Sequence, residues 1–294
     1  MEIRQLHTFI QVAQFQSFSK AAESMGYSQS AVTVQIKLLE DELGIRLFDR
    51  KGKRIVLTSK GTRFLENAYK IVYEVQKSIK DIGDTGELTG ELSIGVTESL
   101  GQLLPPVLSH FRSLYPKVSV RILMGSPSYL LEKMDHWELD LVCILDEARF
   151  HNDWKCPVKK KEEIVFVASS DLNLGNQLLT VKELIQYPLF LTEREANYRR
   201  ALDQYLASRE MNIKPVVEVG EISFILKMLE LNSGVSFLPY YAVEEGLKSG
   251  KLTLLQVTDF QTAMYRQVFY HKGRWKSREM EAFIALLKRS VENH

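Results

Sequence analysis

At 294 residues with 45% hydrophobic content, the chain is long enough for about two domains, each with its own core. Its formal charge of +1 excludes a histone-like protein that coats DNA through overall basicity. No run approaches the roughly 18 uninterrupted apolar residues of a membrane helix, and Met1-Glu2-Ile3-Arg4-Gln5 lacks the basic-then-apolar layout of a signal peptide. A cytoplasmic protein with no membrane partner is therefore expected. The charge is uneven, however: residues 1–60 hold 9 Lys/Arg against 6 Asp/Glu, and the remainder 29 against 31. A mildly basic head thus precedes a near-neutral body.

In chain order, Phe18–Met25 reads as a short helix, with Ala21 and Ala22 small enough for another helix to cross closely. Gly26 supplies the left-handed residue that ends it, and Ser28 offers a hydroxyl as N-cap of the next helix. Val32, Ile36, Leu39 and Leu43 then form one apolar stripe at helical spacing. The opposite side carries Gln29, Ser30, Thr33 and Lys37. Two helices joined by a glycine turn, the second polar on its outer face, describe a helix-turn-helix suited to a major groove. The same pattern also occurs in ordinary α-hairpins that merely meet water. The next segment favours DNA: Arg46–Lys60 places six basic residues against Asp49 alone, and Lys51-Gly52-Lys53 reads as the tip of a cationic hairpin.

Residue chemistry divides the roles on double-stranded DNA. Gln29 is the candidate base reader, because its amide can pair bidentately with adenine. Thr33 offers a hydroxyl or a methyl, and Val34 a contact for a thymine methyl. Ser28, Ser30 and Lys37 are assigned to phosphates. Arg50, Lys53 and Arg54 should grip the backbone, with Arg54 reaching toward a minor groove.

From Ser59 a proline-free helix runs to Ile82, with Phe64, Ala68, Ile71, Val75, Ile79 and Ile82 on one seam. A small head has little surface on which to bury that seam, so the same helix of a second copy is the expected partner; packing on the chain's own body is the alternative. Three glycines in residues 83–90 make a flexible joint. The body, from Glu91, alternates strands near 92–96, 118–124, 140–145, 164–168, 189–192, 216–219, 235–238 and 267–270 with helices near 103–114, 126–136, 198–209, 224–232 and 279–291. That order implies an α/β fold with mainly parallel sheets. Cys143, inside an apolar run, reads as a buried small hydrophobe. Cys156 reads as more exposed, and a redox role for it ranks below a structural one.

These residues together resemble the LysR-type transcriptional regulators over the full length of the chain. The resemblance rests on Leu6-His7-Thr8-Phe9, Ser17-Phe18-Ser19-Lys20-Ala21-Ala22, Ser28-Gln29-Ser30-Ala31-Val32-Thr33, Leu43-Gly44-Ile45-Arg46-Leu47-Phe48-Asp49-Arg50 and Leu57-Thr58-Ser59-Lys60-Gly61. In the body, Leu139-Asp140-Leu141 and Gly234-Val235-Ser236-Phe237-Leu238-Pro239 also look like the family. It implies a winged head (1–58), a dimerising linker helix and hinge (59–90), and a two-lobed effector domain resembling periplasmic binding proteins. The lobes would comprise 91–162 with 266–294, and 163–265. It further implies a homodimer or homotetramer that regulates transcription in response to a small molecule, with RNA polymerase as a further partner. Val34 departs from the Arg or other polar residue common in the family, so the family's base contacts do not carry over wholesale.

The effector site should lie in the cleft between lobes, where strands end and helices begin. On this chain those places are Thr97, Glu98, Ser99 and Leu100; Ser126, Pro127 and Ser128; Thr192, Glu193 and Asn197; and Gly220 and Glu221. Ser99 and Ser126 would serve equally as helix caps without any ligand. The carboxylates of Glu98, Glu193 and Glu221 near the mouth disfavour a simple polyanion. A zwitterion such as an amino acid, a small carboxylate, or a neutral compound is expected. The body lacks a Gly-rich phosphate loop and a nucleophile elbow, and the chain's six histidines show no metal-ligand spacing, so neither an enzyme nor a cofactor is expected. A body that only oligomerises, without ligand, is the remaining alternative.

Overall fold

The computed structural model describes residues 1–51, 54–82, 87–231, 234–274 and 276–292, with the side chains of 50, 51, 54, 76, 77, 79–82 and 292 outside the description. They form two compact units, Met1–Glu87 with Gly273–Trp275, and Leu88–Lys272 with Lys276–His294.

The smaller unit begins with α1 (Ile3–Phe15), α2 (Phe18–Met25) and α3 (Gln29–Leu43). Ser17 caps α2 by accepting from the Lys20 N–H, and Gly26, at φ 66°, closes it by donating to the Ala22 and Glu23 carbonyls. Ser28 caps α3 through the Ala31 N–H at 3.2 Å. Val32, Ile36 and Leu39 are buried among Leu6, Phe9, Ala21 and Ala22, which is how the stripe of α3 fixes its orientation. A hairpin follows, β1 (Phe48–Lys51) and β2 (Arg54–Leu57), paired antiparallel from Phe48↔Leu57 to Lys51↔Arg54. The Phe48 ring lies 5.3 Å from that of Phe9 and 5.9 Å from that of Phe18, anchoring the hairpin on the helices.

Two polar ties hold the base of the hairpin. Glu40, in the last turns of α3, accepts the Leu47 N–H at 2.6 Å and the Phe48 N–H at 3.2 Å. Thr58 donates to the Arg46 carbonyl and accepts the Gly61 N–H, both at 2.8 Å, at the start of α4 (Ser59–Ile82). Gly61 has no room for a side chain, because a Cβ there would collide with the Leu47 carbonyl.

The larger unit is built on a seven-stranded sheet. Its first part holds β3 (Gly90–Val96), α5 (Glu98–Gly101), α6 (Leu104–Leu114), β4 (Val118–Met124), α7 (Pro127–Asp135), β5 (Leu141–Asp146) and β6 (Trp154–Ser169). Then come β7 (Leu178–Leu179), α8 (Val181–Leu184), β8 (Phe190–Leu191), α9 (Asn197–Ala207), β9 (Val217–Glu218) and α10 (Ile222–Leu231). The chain finishes with β10 (Val235–Pro239), α11 (Tyr240–Lys248), β11 (Leu252–Leu254), β12 (Gln256–Val257), β13 (Thr262–His271) and α12 (Arg278–Glu292).

The strand order is β10-β6-β13-β5-β3-β4, with β11 also on β6. The expectation of mainly parallel sheets fails here. In this sheet only β3–β4 and β3–β5 run parallel, whereas β5–β13, β13–β6, β6–β10 and β6–β11 are antiparallel. The cause is the long strand β6, whose middle carries Lys159, Lys160, Lys161, Glu162 and Glu163 and so hides its alternating burial from a search for apolar runs. Along β6 the partner changes at Ile164, which pairs with both Pro239 of β10 and Thr262 of β13. Residues before it pair with β13 and those after it with β10. The body therefore forms two groups of elements that share the β6–β13 pair.

Gly61→Ala is expected to destabilise the full chain at or above the upper end of the about 1–3 kcal/mol of overpacking, more than the about 1–2 kcal/mol of backbone strain in Gly26→Ala, whose Cβ meets nothing within 4 Å but whose φ of 66° is left-handed. Urea unfolding followed by circular dichroism checks the order; a Gly61→Ala chain as stable as its parent would contradict it.

Candidate nucleic-acid interface and ligand cleft

The outward face of α3 is continuous. Gln29, Ser30, Thr33, Val34 and Lys37 are exposed, as expected, with Ser28 at its start. Leu38, which the sequence reading passed over, joins them: Val34 and Leu38 are 55% and 53% exposed, an i,i+4 apolar pair amid polar neighbours. Gln29 is oriented by the Ser19 hydroxyl, which donates to its Oε1 at 2.8 Å across the turn. Its Nε2 remains free to donate. Thr33 donates its hydroxyl back to the Gln29 carbonyl at 2.8 Å, leaving its methyl and a lone pair to face outward. Ser28 Oγ, engaged as a cap and 3.0 Å from Ser30 Oγ, has less capacity for a phosphate than its neighbour. Arg50 and Arg54 lie on the two hairpin strands, though their side chains are not described, and Lys53 lies outside the described residues.

The seam of α4 divides. Ala68 is fully buried in the head's own core, Phe64 stacks 5.4 Å from Phe9, and Ile71 packs on the same cluster. The head therefore offers more cover than the sequence implied, and the first half of the seam is taken by its own unit. Val75 stays half-exposed, and the side chains of Ile79 and Ile82 are outside the description.

In the body, two depressions of about 580 and 230 Å³ share Glu98, Glu193 and Gly220 and so form one cleft. It brings together nine of the expected residues: Thr97, Glu98, Ser99, Ser126, Pro127, Glu193, Asn197, Gly220 and Glu221. Three expected residues do not line it. Leu100 turns into the hydrophobic core. Ser128 is exposed on α7 outside the lining, and the Thr192 side chain is buried while its carbonyl accepts from Arg199 at 2.7 Å. The lining also includes Gln102, Met124, Glu195, Tyr198 and Ser223, which strand and helix ends alone do not single out.

Several contacts shape this cleft. Ser126 caps α7 through the Tyr129 N–H at 3.4 Å, so its hydroxyl has the structural role anticipated as the alternative. Arg199 is 1% exposed and fastens the floor: it donates to Asp203 at 2.9 Å, to the Thr192 carbonyl and to Glu218 at 3.3 Å. Tyr241 of α11 donates to the Ser99 carbonyl of α5 at 2.7 Å, joining the two sides. Behind it, on the strands shared by both sides, Arg266 and Glu162 form a buried ion pair at 2.7 Å. The buried amide nitrogen of Asn197 has no hydrogen-bond partner.

Electrostatically the cleft is acidic. Glu193 is exposed, yet partial desolvation at the cleft raises its pKa, and the neighbouring Glu98, Glu195 and Glu218 raise it further. Burial also pushes up the Tyr198 hydroxyl, which stays a neutral donor. Cys143 is buried and its thiol is pushed up to about 12 by desolvation, the small hydrophobe expected of it. Cys156 is exposed and its thiol donates to the Val158 carbonyl at 3.2 Å. Among the described residues no group of three or more His, Cys, Asp or Glu could hold a metal, and no helix is long and apolar enough to cross a membrane.

The sequence profile described as "Bacterial regulatory helix-turn-helix protein, lysR family" matches residues 3–62, and "LysR substrate binding domain" matches residues 85–292. The chain belongs to the LysR family of transcriptional regulators. Among its relatives, the HTH-type transcriptional regulator YwqM of Bacillus subtilis (strain 168) is 32% identical, with 99% of this chain and 100% of that protein aligned. SoxR of Arthrobacter sp. (strain TE1826) is 28% identical over 99% and 98% of the two chains. Full-length OxyR of Pseudomonas aeruginosa shares the fold at a TM-score of 0.70 and 22% identity, covering 99% of this chain and 95% of that one. CbnR in complex with its target DNA shares it at 0.52 and 20% identity, covering 99% and 100%. LysR regulators bind DNA and form oligomers, and the relatives YwqM and SoxR are named as transcriptional regulators.

The raised pKa of Glu193 means that its neutral form is favoured by folding. Its contribution to stability is present below the ordinary carboxylate range near pH 4 and is lost as pH rises through the raised value. Glu193→Gln is therefore expected to raise the melting temperature at pH 7 and to lose that advantage as pH falls to about 4. A Glu193→Gln chain less stable than its parent at pH 7 would overturn this.

Proposed function

We propose that this LysR-family chain is a ligand-responsive transcriptional regulator acting in the bacterial cytoplasm. The face of α3 carries the proposal: donors, a cation and an apolar pair stand exposed on a helix whose other side is locked into a core. Gln29, held by Ser19, reads a base edge in the major groove, and Val34 with Leu38 meets thymine methyls. Lys37, Ser30 and the hairpin cations hold phosphates. Two copies, joined through the α4 seam from Val75 onward, present two such helices to a palindromic-type operator, and two dimers make a tetramer.

A small metabolite bound in the body cleft shifts how the copies pack, and so alters operator spacing or DNA bending and access for RNA polymerase. The lobes divide near residues 162–163 and 265–266, on the strands where pairing changes partner. A body that only oligomerises is disfavoured by a cleft of this size lined by Asn197, whose buried amide nitrogen has no partner.

Binding to a fragment flanking the protein's own gene, measured by fluorescence anisotropy at several salt concentrations, tests the division of labour on DNA. Gln29→Ala is expected to narrow the gap between operator and random DNA by about 1–3 kcal/mol. Lys37→Ala should weaken both alike and reduce the salt slope by about one. Equal losses on both DNAs for both variants would refute the proposed roles.

A further inference from the structure

The cleft's charge has one sign. Of the residues lining it, Glu98, Glu193, Glu195 and Glu221 are carboxylates, and among the described residues no Lys, Arg or His joins them. Such an arrangement is unexpected in a chain whose overall charge is only +1. Two of the four come from opposite sides: Glu98 follows β3, in the group built on β3, β4 and β5, and Glu193 follows β8, in the group built on β10. They converge over Gly220, where a Cβ would collide with Glu98 Oε2 and approach Glu193 Oε1 to 3.2 Å. Like charges so placed repel across the cleft, and partial desolvation with the neighbouring carboxylates already disfavours the charge on Glu193.

A second observation points to a bound molecule. Asn197, 9% exposed, lines the same cleft with its amide nitrogen unpartnered, a donor awaiting an acceptor. The phenol of Tyr198, kept neutral by burial, stands beside it. A metal ion would draw several of these carboxylates into one coordination shell, but no such grouping occurs among the described residues. A carboxylate without a compensating positive charge would enter against all four glutamates.

We propose that the effector carries a cationic nitrogen that seats between Glu98 and Glu193, with an oxygen acceptor of the same molecule received by the Asn197 amide. This rests on the reading of the cleft as the ligand site and deepens it. The cation turns repulsion between the two sides into two charge-assisted hydrogen bonds, which draws them together. The chemistry is shared by free amino acids, amino-acid amides and oxygen-bearing amines; simple diamines satisfy the carboxylates but leave Asn197 without an acceptor.

Thermal shift of the full-length protein against a fixed panel tests the assignment: the twenty amino acids and their C-terminal amides, ethanolamine, putrescine, magnesium, calcium, zinc, and succinate, glutarate and citrate. Stabilising compounds are expected only among those with an ammonium or guanidinium group. Calorimetry of the strongest should show at least tenfold weaker binding to Glu98→Gln and to Glu193→Gln, weakening with ionic strength in the parent. Asn197→Leu should weaken oxygen-bearing amines and leave putrescine unaffected. Both glutamine variants are isosteric, and an unchanged far-ultraviolet circular dichroism spectrum with a cooperative thermal melt shows that they are folded.

Stabilisation by a nitrogen-free carboxylate or by a metal ion alone, or amine binding indifferent to both glutamine variants, overturns the cationic effector. If such a carboxylate binds and Asn197→Leu abolishes its binding, the ligand-responsive reading stands while this inference falls. If nothing in the panel stabilises the protein, this inference falls. If a cell extract also leaves its DNA binding unchanged, the ligand-responsive reading falls with it.

Discussion

One antiparallel strand pair, β6 against β13, carries both halves of the larger unit. β6 exchanges partners at Ile164, pairing with β13 before it and β10 after it, and β13 pairs onward with β5. Every loop of the cleft is positioned by one or the other side of that shared pair. The buried Arg266–Glu162 ion pair bridges the two strands close to the change of partner. Such a pair adds little net stability, yet removal of one partner leaves an uncompensated charge that costs about 3–5 kcal/mol. It therefore fixes register where a slip would misplace every cleft residue. The Tyr241–Ser99 hydrogen bond, in front of the Arg266 guanidinium, ties the two sides a second time.

The smaller unit obeys a comparable constraint with different chemistry. Its helix α3 is held by an apolar stripe below and by Glu40 near its end, which tethers the hairpin through two backbone N–H groups. Gly61 allows α4 to start directly against the Leu47 carbonyl. Helix, hairpin and linker helix are thereby one rigid piece, so the outward side chains of α3 are presented in a fixed pattern. That rigidity is what sequence-specific reading of DNA requires.

The head was largely legible in the sequence because its signals are local. Ser28 and Gly26 announce caps, Val32, Ile36 and Leu39 repeat at helical spacing, and the hairpin is bounded by its own turn. What escaped was tertiary: no spacing rule shows that Phe64 and Ala68 face Phe9 rather than another chain. In the body, the strands with continuous apolar runs were visible, but β6 up to Glu163 was hidden because Lys160 and Glu162 occupy inward positions. With it went the antiparallel half of the sheet. The cleft's location followed from strand-to-helix junctions, and nine residues named from that rule line it. Leu100, Ser128 and Thr192 fell away because a junction does not specify side-chain direction. Glu195 and Tyr198 needed the folded loop after β8 to reveal them.

In the proposed function, binding in the body and reading in the head are separate pieces of chemistry, and regulation requires that one alter the other by a coupling free energy. DNase footprinting of the full-length protein on its own upstream region, with and without a saturating cleft ligand, measures that coupling directly. Ligand is predicted to change the length or spacing of the protected sites while leaving the contacts of α3 in place. An identical footprint and affinity with the cleft demonstrably filled would contradict a ligand-responsive regulator.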